Sequence, residues 1–294
     1  MEQIKRVAVI TNYNITEKAL AALTVADKFI RFGCDVLICA SARERINRLR
    51  RMRREFHFLP PDELYETADI LVVLGGDGSI LEASRRAALN RTPILGINLG
   101  RLGFMAELEM DELKLLPRLF EGKYNIDERS MLCVTMNDAK GGRKLSSFAL
   151  NDAVISNGSV ARIVDLELLC GGESVTTYRA DGLIIATPTG STAYSMAAGG
   201  AITHPHLECF CVTPICPHSL AARPMVFPDS LELTVRNICD REKNLFLTID
   251  GRTNYELYRS ETVSITKSDK TTRLVTLKER GFYDTLRQKM TNGR

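Results

Sequence analysis

The sequence predicts an α/β domain at the N-terminal side and a β-rich domain after it. In the first 124 residues, short apolar runs alternate with stretches of helical period. From about Ser130 the apolar runs are short, rich in β-formers and separated by Gly, Asn and Asp. Strands and helices in alternation imply a parallel, Rossmann-like sheet with helices on its faces. The second pattern predicts antiparallel strands in a domain of β-sandwich type.

The N-terminal elements follow one another in a regular order. "RVAVI" (6–10) is a strand, and the next stretch has helical period up to Gly33, a residue that ends helices. "CDVLICA", "ADILVVLGG" and "TPILGINLG" are further strands, and "SILEASRRAAL" predicts a helix that opens at Ser79. Apolar runs without polar alternation fit strands that are covered on both faces.

The domain boundaries follow from the change in pattern. We expect residues 1–124 and a returning helical tail, 279–294, to form the α/β domain, and residues 125–278 to form the β-rich domain. One helix is expected in the second domain, near Thr192. The predicted strands of that domain are "MLCVTM", "SFALNDAVIS", "ARIVDLELLC", "SVTTYRADGLIIAT", "SLELTVRN", "NLFLTID" and "ETVSITK".

Composition excludes several classes of protein. The 294 residues are 45% hydrophobic and carry a formal charge of only +3, which gives no bulk attraction for nucleic acid. No apolar run is long enough to span a bilayer, and the start of the chain does not have the pattern of a signal peptide. We therefore expect a cytoplasmic protein, and its eight cysteines, several of which lie in apolar runs, should stay thiols there.

Two further stretches have an ordinary and a functional interpretation. The Arg-rich stretch 43–55 either attracts phosphates or forms a solvated helix, and the second is favoured because the rest of the chain has no basic bias. Cys209, Cys211 and Cys216 lie near three histidines, but their spacing matches no standard zinc site, so buried packing is favoured and no metal ligand is assigned.

The stretch "LVVLGGDGSI" (71–80) places Asp77 among Gly75, Gly76 and Gly78 at the end of a buried strand. Glycines allow a tight turn and close approach of an anion, and a following helix presents its positive end. Asp77 would repel phosphate unless it takes a proton from a hydroxyl or meets phosphate through Mg²⁺. The alternative is that Asp77 caps the helix or closes a turn. A second glycine turn, "GINLGRLGF" (96–104), favours a site.

The C-terminal domain contains a second group of small and polar residues. "RADGLIIATPTGSTAYSMAAGG" (179–200) combines a turn, a capped helix start and the flat ring and hydroxyl of Tyr194, or it is only a tight structural turn. Asn151 and Asp152 open a strand, where they can contact a nucleobase and a ribose, or form a plain turn. "LTIDGRTN" (247–254) reads equally as a hairpin turn. His218 is expected to be structural.

These motifs together resemble the NAD kinase (ATP-NAD kinase) family. The resemblance runs from about residue 70 to 252 and rests on "GGDG", "GINLGRLGF", "LND", "RADG", "TPTGSTAYS", "AGG", "TPICPHSL", "RP" and "IDG" in this order. It implies the two-domain fold, a tail that packs back on the first domain, and transfer of the terminal phosphate of ATP to the 2′-hydroxyl of the adenosine ribose of NAD⁺. It also implies a divalent metal ion, Mg²⁺ above all, and a homodimer or homotetramer.

The resemblance assigns roles to individual residues. Asp77 matches the general base, and Asn151 and Asp152 match a pair that holds the adenosine part. The remaining nucleotide-contacting positions that it implies are Gly75, Gly76, Gly78, Phe104, Arg162, Arg179, Asp181, Thr192, Ala193, Tyr194, Ser195, Ala197 and Arg252.

The sequence also departs from the family pattern. Many members have Glu at Asp152, Ser at Ala197, Gln at Arg252 and Pro at Ala201, and these departures affect fine contacts more than the reaction. The alternatives to an NAD kinase are a lipid or sugar kinase that shares "GGDG", and a sensor that binds NAD(P)(H) without turnover. Donor, acceptor range, feedback and subunit number stay open.

Overall fold

The computed structural model describes residues 4–49, 53–100, 103–158, 163–239, 245–279 and 281–292. The strands, numbered in chain order, are β1 Arg6–Ile10, β2 Asp35–Cys39, β3 Phe56–Leu59, β4 Ile70–Gly75, β5 Ile94–Asn98, β6 Leu108–Glu109, β7 Asn125–Asn137, β8 Arg143–Ala149, β9 Asp152–Asn157, β10 Val164–Cys170, β11 Glu173–Ala180, β12 Gly182–Ala186, β13 Cys209–Ile215, β14 Met225–Pro228, β15 Leu233–Asn237, β16 Leu245–Ile249, β17 Thr253–Leu257 and β18 Thr262–Thr276. The helices are α1 Thr16–Arg31, α2 Arg43–Leu49, α3 Pro61–Thr67, α4 Asp77–Asn90, α5 Pro117–Phe120, α6 Tyr194–Ala197 and α7 Phe282–Asn292.

The chain divides into two units. The first comprises Met1–Glu128 and Thr272–Arg294, and the second comprises Arg129–Thr271. The sequence-based division at 124/125 and 278/279 stays a prediction for the functional domains. No helix in the described ranges is both long and apolar enough to span a membrane.

A parallel sheet forms the centre of the first unit. Its strands lie in the order β3-β2-β1-β4-β5, and every neighbouring pair is parallel. The last part of β18 joins this sheet, where Leu274 pairs in parallel with Ile94. All six residues of β4 are buried, as expected of a strand covered on both faces. The carboxyl ends of β4 and β5 are neighbours, since Gly75 pairs with Asn98.

Helix α1 shows why the helices cover this sheet. Its buried residues Ala19, Leu23, Ala26 and Phe29 recur every three or four positions, so one stripe of the helix is apolar. Phe29 belongs to the same buried cluster as residues of β1 and β4. Burial of this stripe against the sheet stabilises the helix far more than its intrinsic propensity does.

The second unit consists of two antiparallel sheets. One has the order β14-β13-β12-β9-β16-β17, and the other contains β10, flanked by β11 and β15, with the hairpin of β7 and β8. Inward-facing side chains of both sheets, such as Ile155, Ile185 and Leu168, share one buried cluster. This packing makes the unit a β-sandwich.

The Arg-rich stretch is a surface helix where it is described. Helix α2 buries Ile46 and turns its charged residues outward. Arg45 donates to the Thr16 hydroxyl at 2.6 Å, and Arg53 lies 3.1 Å from the Asp27 carboxylate. Residues 50–52 lie outside the described ranges. The solvated-helix interpretation therefore fits the part of the stretch that can be seen.

Candidate active site

The Gly-Gly-Asp-Gly turn lies at the carboxyl end of β4. Strand β4 ends at Gly75, Gly76 is the N-cap with extended backbone, and Asp77 is the first residue of α4. The predicted helix start at Ser79 was therefore wrong by two residues, because Asp77 already has helical backbone. A Cβ on Gly75 would lie 2.2 Å from the Ser79 hydroxyl, so the turn closes this tightly only with glycine at that position.

The Asp77 carboxylate joins the two glycine turns. Its Oδ2 accepts the Phe104 N–H at 2.8 Å, and its Oδ1 accepts the Met105 N–H at 3.0 Å. Gly103 packs directly on this group, since a Cβ there would lie 2.0 Å from Oδ1. The helix-capping alternative is wrong: among the residues that the structure describes, no side chain caps the N-terminus of α4, and the Asp77 oxygens bond to the second glycine turn instead.

The same carboxylate remains open to a ligand. Its side chain is 30% exposed, and each carboxylate oxygen has a second lone-pair direction beyond the one used by the backbone N–H. The two bonds fix the plane of the carboxylate without enclosing it. The group can therefore accept a proton or orient a hydroxyl from a held position.

In the second unit, the Asn151-Asp152 pair is held by Asp250. The Asp250 carboxylate accepts N–H bonds from Leu150, Asn151 and Asp152, at 3.0, 2.8 and 3.2 Å. Asp250 has a left-handed backbone, φ 50°, in the tight turn between β16 and β17. "LTIDGRTN" is thus the hairpin that the sequence allowed, and it also contains an anchoring carboxylate that sequence reasoning missed.

Asp152 opens β9 as a buried carboxyl group, only 5% exposed. Burial raises its pKa to about 7, and the negative charge of Asp250 acts in the same direction. Asn151 is half-buried beside it. Asn151 and Asp152 therefore form a partly buried polar group, in which the Asp152 carboxyl changes its charge near neutral pH.

The loop 187–193 packs on the backbone of that pair. The Thr187 hydroxyl donates to the Leu150 carbonyl at 2.6 Å, and the Thr187 N–H donates to the Asn151 carbonyl at 2.9 Å. A Cβ on Gly190 would lie 2.0 Å from that same Asn151 oxygen. The structure brings the two predicted binding segments of the second unit into direct contact.

The predicted helix near Thr192 is short. A 3-10 turn, Gly190–Thr192, leads into α6, which has four residues. Tyr194 is 48% exposed and Ala197 is exposed, so both can contact a ligand. Ser195 is fully buried, and its hydroxyl is 2.9 Å from that of Thr213. Its contact with a nucleotide stays a prediction. The Thr192 hydroxyl donates to the Thr189 carbonyl, which fixes the backbone that leads into Ala193.

The remaining predicted contacts are surface groups. The Arg179 guanidinium is 68% exposed and lies 4.0 Å from the Asp165 carboxylate, while Asp181 is half-buried and Arg252 is exposed. Arg162 lies outside the described residues. The backbone N–H of His218 donates to the Arg179 carbonyl at 2.8 Å. A structural role for the His218 side chain stays a prediction.

The cysteines and histidines near residue 210 form no metal site in the described part of the chain. Groups of three or more His, Cys, Asp or Glu side chains suited to a metal are absent among the residues that the structure describes. Cys209 and Cys211 are buried with Val154, Ile184 and Ala186, and burial raises the pKa of the Cys209 thiol to about 12. These thiols pack as small apolar groups.

Comparison with known proteins agrees with this division into two units. A family model described as the ATP-NAD kinase N-terminal domain matches residues 57–124, and the model of the ATP-NAD kinase C-terminal domain matches residues 150–277. The NAD kinase of Geobacter metallireducens is 45% identical over 230 residues, which cover 78% of this chain and 81% of that protein.

Solved structures share the fold. The crystal structure of yeast NADH kinase complexed with NADH superposes with a TM-score of 0.90 at 23% identity, covering 99% of this chain and 89% of that one. An NAD kinase from Archaeoglobus fulgidus in complex with ATP gives a TM-score of 0.71 at 25% identity, covering 97% and 98%.

The fold is thus that of the two-domain NAD(H) kinases, with an N-terminal α/β domain and a β-rich C-terminal domain. The chain belongs to the NAD kinase family. Membership in this family does not support the two alternatives drawn from the sequence, a lipid or sugar kinase and a non-catalytic sensor.

Proposed function

We propose a residue-level mechanism for the reaction of this NAD kinase, the phosphorylation of NAD to NADP. ATP is the donor, and Asp77 is the general base. The observation that carries the proposal is the fixed, partly exposed Asp77 carboxylate at the end of β4, where α/β sheets bind their ligands.

The chemical step balances with the two substrates alone. Asp77 takes the proton of the adenosine ribose 2′-hydroxyl as its oxygen attacks the terminal phosphorus of ATP. The new O–P bond forms while the bond from that phosphorus to the bridging oxygen breaks, and that electron pair leaves with ADP. Positioning and charge neutralisation supply most of the acceleration in such transfers.

In the second unit, we assign dinucleotide binding to the polar edge around β9. Asn151 and Asp152 hold the adenosine part, with exposed Tyr194 and the Thr192–Ala193 backbone beside the nucleotide. Arg179, Asp181 and Arg252 supply outer contacts. The support is the packing of loop 187–193 on the Asn151 carbonyl and the anchoring of Leu150–Asp152 by Asp250.

The residues present fit a metal that arrives with the donor. Mg²⁺ is commonly bound by one or two carboxylates together with substrate phosphates. Around the first glycine turn, Asp77 supplies one carboxylate, and no larger cage of metal-ligating side chains occurs among the described residues. When bound, the ion would neutralise the charge of the donor phosphates, and no residue of this chain is assigned as its ligand.

The proposal also includes the cellular compartment of the protein and its subunit number. All eight cysteines are free thiols, which suits the reducing cytoplasm. A homodimer or homotetramer is the assembly that the family resemblance implies, without nucleic acid or membrane partners. Light scattering after size-exclusion chromatography measures the subunit number.

The role of Asp77 is tested by Asp77→Asn. We expect NADP⁺ formation with ATP and Mg²⁺ to fall by roughly a hundredfold or more, the contribution of a positioned general base. NAD⁺ affinity, measured by calorimetry, should be retained. Asp62→Asn is the control, because Asp62 lies in the first turn of α3 and its side chain is 86% exposed. Turnover of Asp77→Asn at the wild-type rate would remove Asp77 from the chemistry.

The donor is tested in the same assay. ATP should support NADP⁺ formation, and the comparison includes other nucleoside triphosphates and inorganic polyphosphate. A faster rate with polyphosphate than with ATP would contradict the donor assignment while leaving the role of Asp77 intact.

A further inference from the structure

The C-terminal helix α7 brings a cation to Asp77. The Lys289 ammonium lies 4.0 Å from Asp77 Oδ2 and 4.1 Å from the centre of the Phe104 ring. Both Lys289 and Asp77 are about 30% exposed, at 29% and 30%. The sequence showed this segment only as a helical tail, and no motif singled out Lys289.

Phe104 connects the carboxylate and the ammonium. Its backbone N–H holds Asp77 Oδ2 at 2.8 Å, and its ring holds the Lys289 ammonium by a cation–π contact. The Phe282 ring lies 6.4 Å from the Phe104 ring. Because Phe282 and Lys289 are seven residues apart, they lie on the same face of α7, and this face packs on Phe104.

The contact leaves the ammonium able to bind an anion. At 4.0 Å from Asp77 it is beyond hydrogen-bonding distance, and a cation–π contact uses none of its N–H donors in a conventional hydrogen bond. Within the described ranges, Lys289 has no hydrogen bond to another residue. Three ammonium donors on a partly exposed group are therefore available to a ligand beside Asp77.

A positive group beside Asp77 favours phosphoryl transfer at this position. A lone carboxylate repels the phosphate that must approach the hydroxyl it deprotonates, and charge develops on the transferring oxygens. A positive group fixed a few ångströms from the base offsets that repulsion, and lysine is a common point-charge partner of phosphate.

We propose that Lys289 is a catalytic residue that binds the terminal phosphate of the nucleoside triphosphate during its transfer. This inference rests on the proposed role of Asp77. The phosphate lies beside both the base and the cation, which are 4.0 Å apart. The 2′-hydroxyl proton goes to Asp77 and the new O–P bond forms. The bond from phosphorus to the bridging oxygen breaks, that oxygen leaves with ADP, and Lys289 contacts the non-bridging oxygens.

The test compares Lys289→Met, which keeps length without charge, with Lys289→Arg, which keeps charge. We expect Lys289→Met to lower kcat by about a hundredfold and to raise KM for ATP, with NAD⁺ affinity and Tm unchanged. Lys289→Arg should recover much of the loss. Arg287→Met is the matched control on the same helix, because Arg287 is 74% exposed and pairs with Asp284.

A second measurement uses the wild-type protein and does not depend on a variant that folds. A lysine-acetylating reagent is applied with and without a non-hydrolysable ATP analogue, and labelling is read by mass spectrometry. Lys289 should be protected by the analogue, whereas Lys123, which is 69% exposed, should not. Equal labelling of Lys289 in both conditions would overturn the proposal.

The outcomes separate this inference from the proposed function. If Asp77→Asn is inactive and Lys289→Met has wild-type kinetics, Lys289 has no catalytic role and Asp77 keeps its own. If Asp77→Asn is active, the proposed role of Asp77 as general base is wrong, whatever the Lys289 variants show. If both Lys289 variants lose activity equally, together with Tm and NAD⁺ affinity, then the helix is only a structural cover and the inference is wrong.

Discussion

Asp250 shows how one side chain orders a binding segment. Its two carboxylate oxygens satisfy three consecutive backbone N–H groups, and its side chain is almost fully buried. Charge-assisted bonds of this kind are among the stronger ones in proteins. The same charge contributes to the raised pKa of Asp152, so the anchor also sets the ionisation of its neighbour.

Asp250→Asn should therefore destabilise the protein. Its amide N–H₂ would face at least one of the backbone N–H groups, and an unsatisfied buried donor costs about 1–3 kcal/mol. Asp138→Asn is the control, because Asp138 accepts N–H bonds from Lys140 and Gly142 in an exposed turn. Urea denaturation should show the larger loss for Asp250→Asn, with weaker NAD⁺ binding. Equal losses for both variants would contradict the anchoring role.

The raised pKa of Asp152 predicts that the stability of the protein depends on pH. Its pKa in the folded protein, about 7, lies above the ordinary value near 4, so the folded state holds a proton that the unfolded state has lost. The free energy of unfolding contributed by this group therefore falls as pH rises from about 4 to about 7, and is level above that range.

The measurement compares wild type with Asp152→Asn, which cannot ionise. Urea midpoints at pH 5, 6, 7 and 8 should show the variant gaining on the wild type as pH rises to about 7. A constant difference between the two proteins across this range would show that Asp152 does not titrate there.

Among the elements, the turn before α6 is fixed by close packing. Gly190 lies against the backbone of Asn151, and Thr187 bonds to the carbonyl groups on either side of it. Strand β12, which precedes this turn, is buried along its whole length. The turn therefore has little room to move when a side chain is added.

Gly190→Ala should cost about 1–3 kcal/mol, the range for overpacking a close contact, and should raise KM for NAD⁺ by shifting Asn151. Gly281→Ala is the control, since an added Cβ there meets nothing within 4 Å. Thermal unfolding and initial rates measure the two effects. A Gly190→Ala protein with wild-type Tm would show that the loop relaxes freely.

At the scale of the whole molecule, the chain leaves the first unit and returns to it. The returning segment follows β18, and its Leu277 and Lys278 N–H groups both donate to Glu107 Oε1 at 2.7 Å. Arg118 donates to the Leu277 carbonyl, and the Lys278 ammonium pairs with Glu112. Burial raises the pKa of Glu107 despite these bonds.

Glu107→Ala should loosen this return. Two backbone N–H groups would lose their acceptor, at a cost of about 1–3 kcal/mol for each one left buried and unsatisfied. Glu121→Ala is the control, because Glu121 is 49% exposed and forms its ion pair with Lys123, two residues away. Limited proteolysis near residue 279 should quicken for Glu107→Ala alone. Unchanged cleavage would show that Glu107 does not hold the segment.

Sequence periodicity was sufficient for the fold class because it reports which faces of each element are buried. The unbroken apolar run of β4 and the stripe of α1 predict a covered parallel sheet. The helix start at Asp77 was missed because N-terminal backbone geometry, rather than composition, decides whether an aspartate caps a helix or begins it.

The amino-acid sequence by itself determined the two-domain architecture, the family and the position of Asp77 at a strand end, because these depend on local pattern and short motifs. Only the tertiary structure decided what Asp77, Asp250 and Lys289 contact. Asp77 meets the 104–105 backbone, Asp250 meets residues about a hundred positions earlier, and Lys289 meets Phe104 through a helix at the end of the chain. Contacts between residues so far apart in the sequence depend on how the sheets and helices pack, and the local sequence pattern does not predict them.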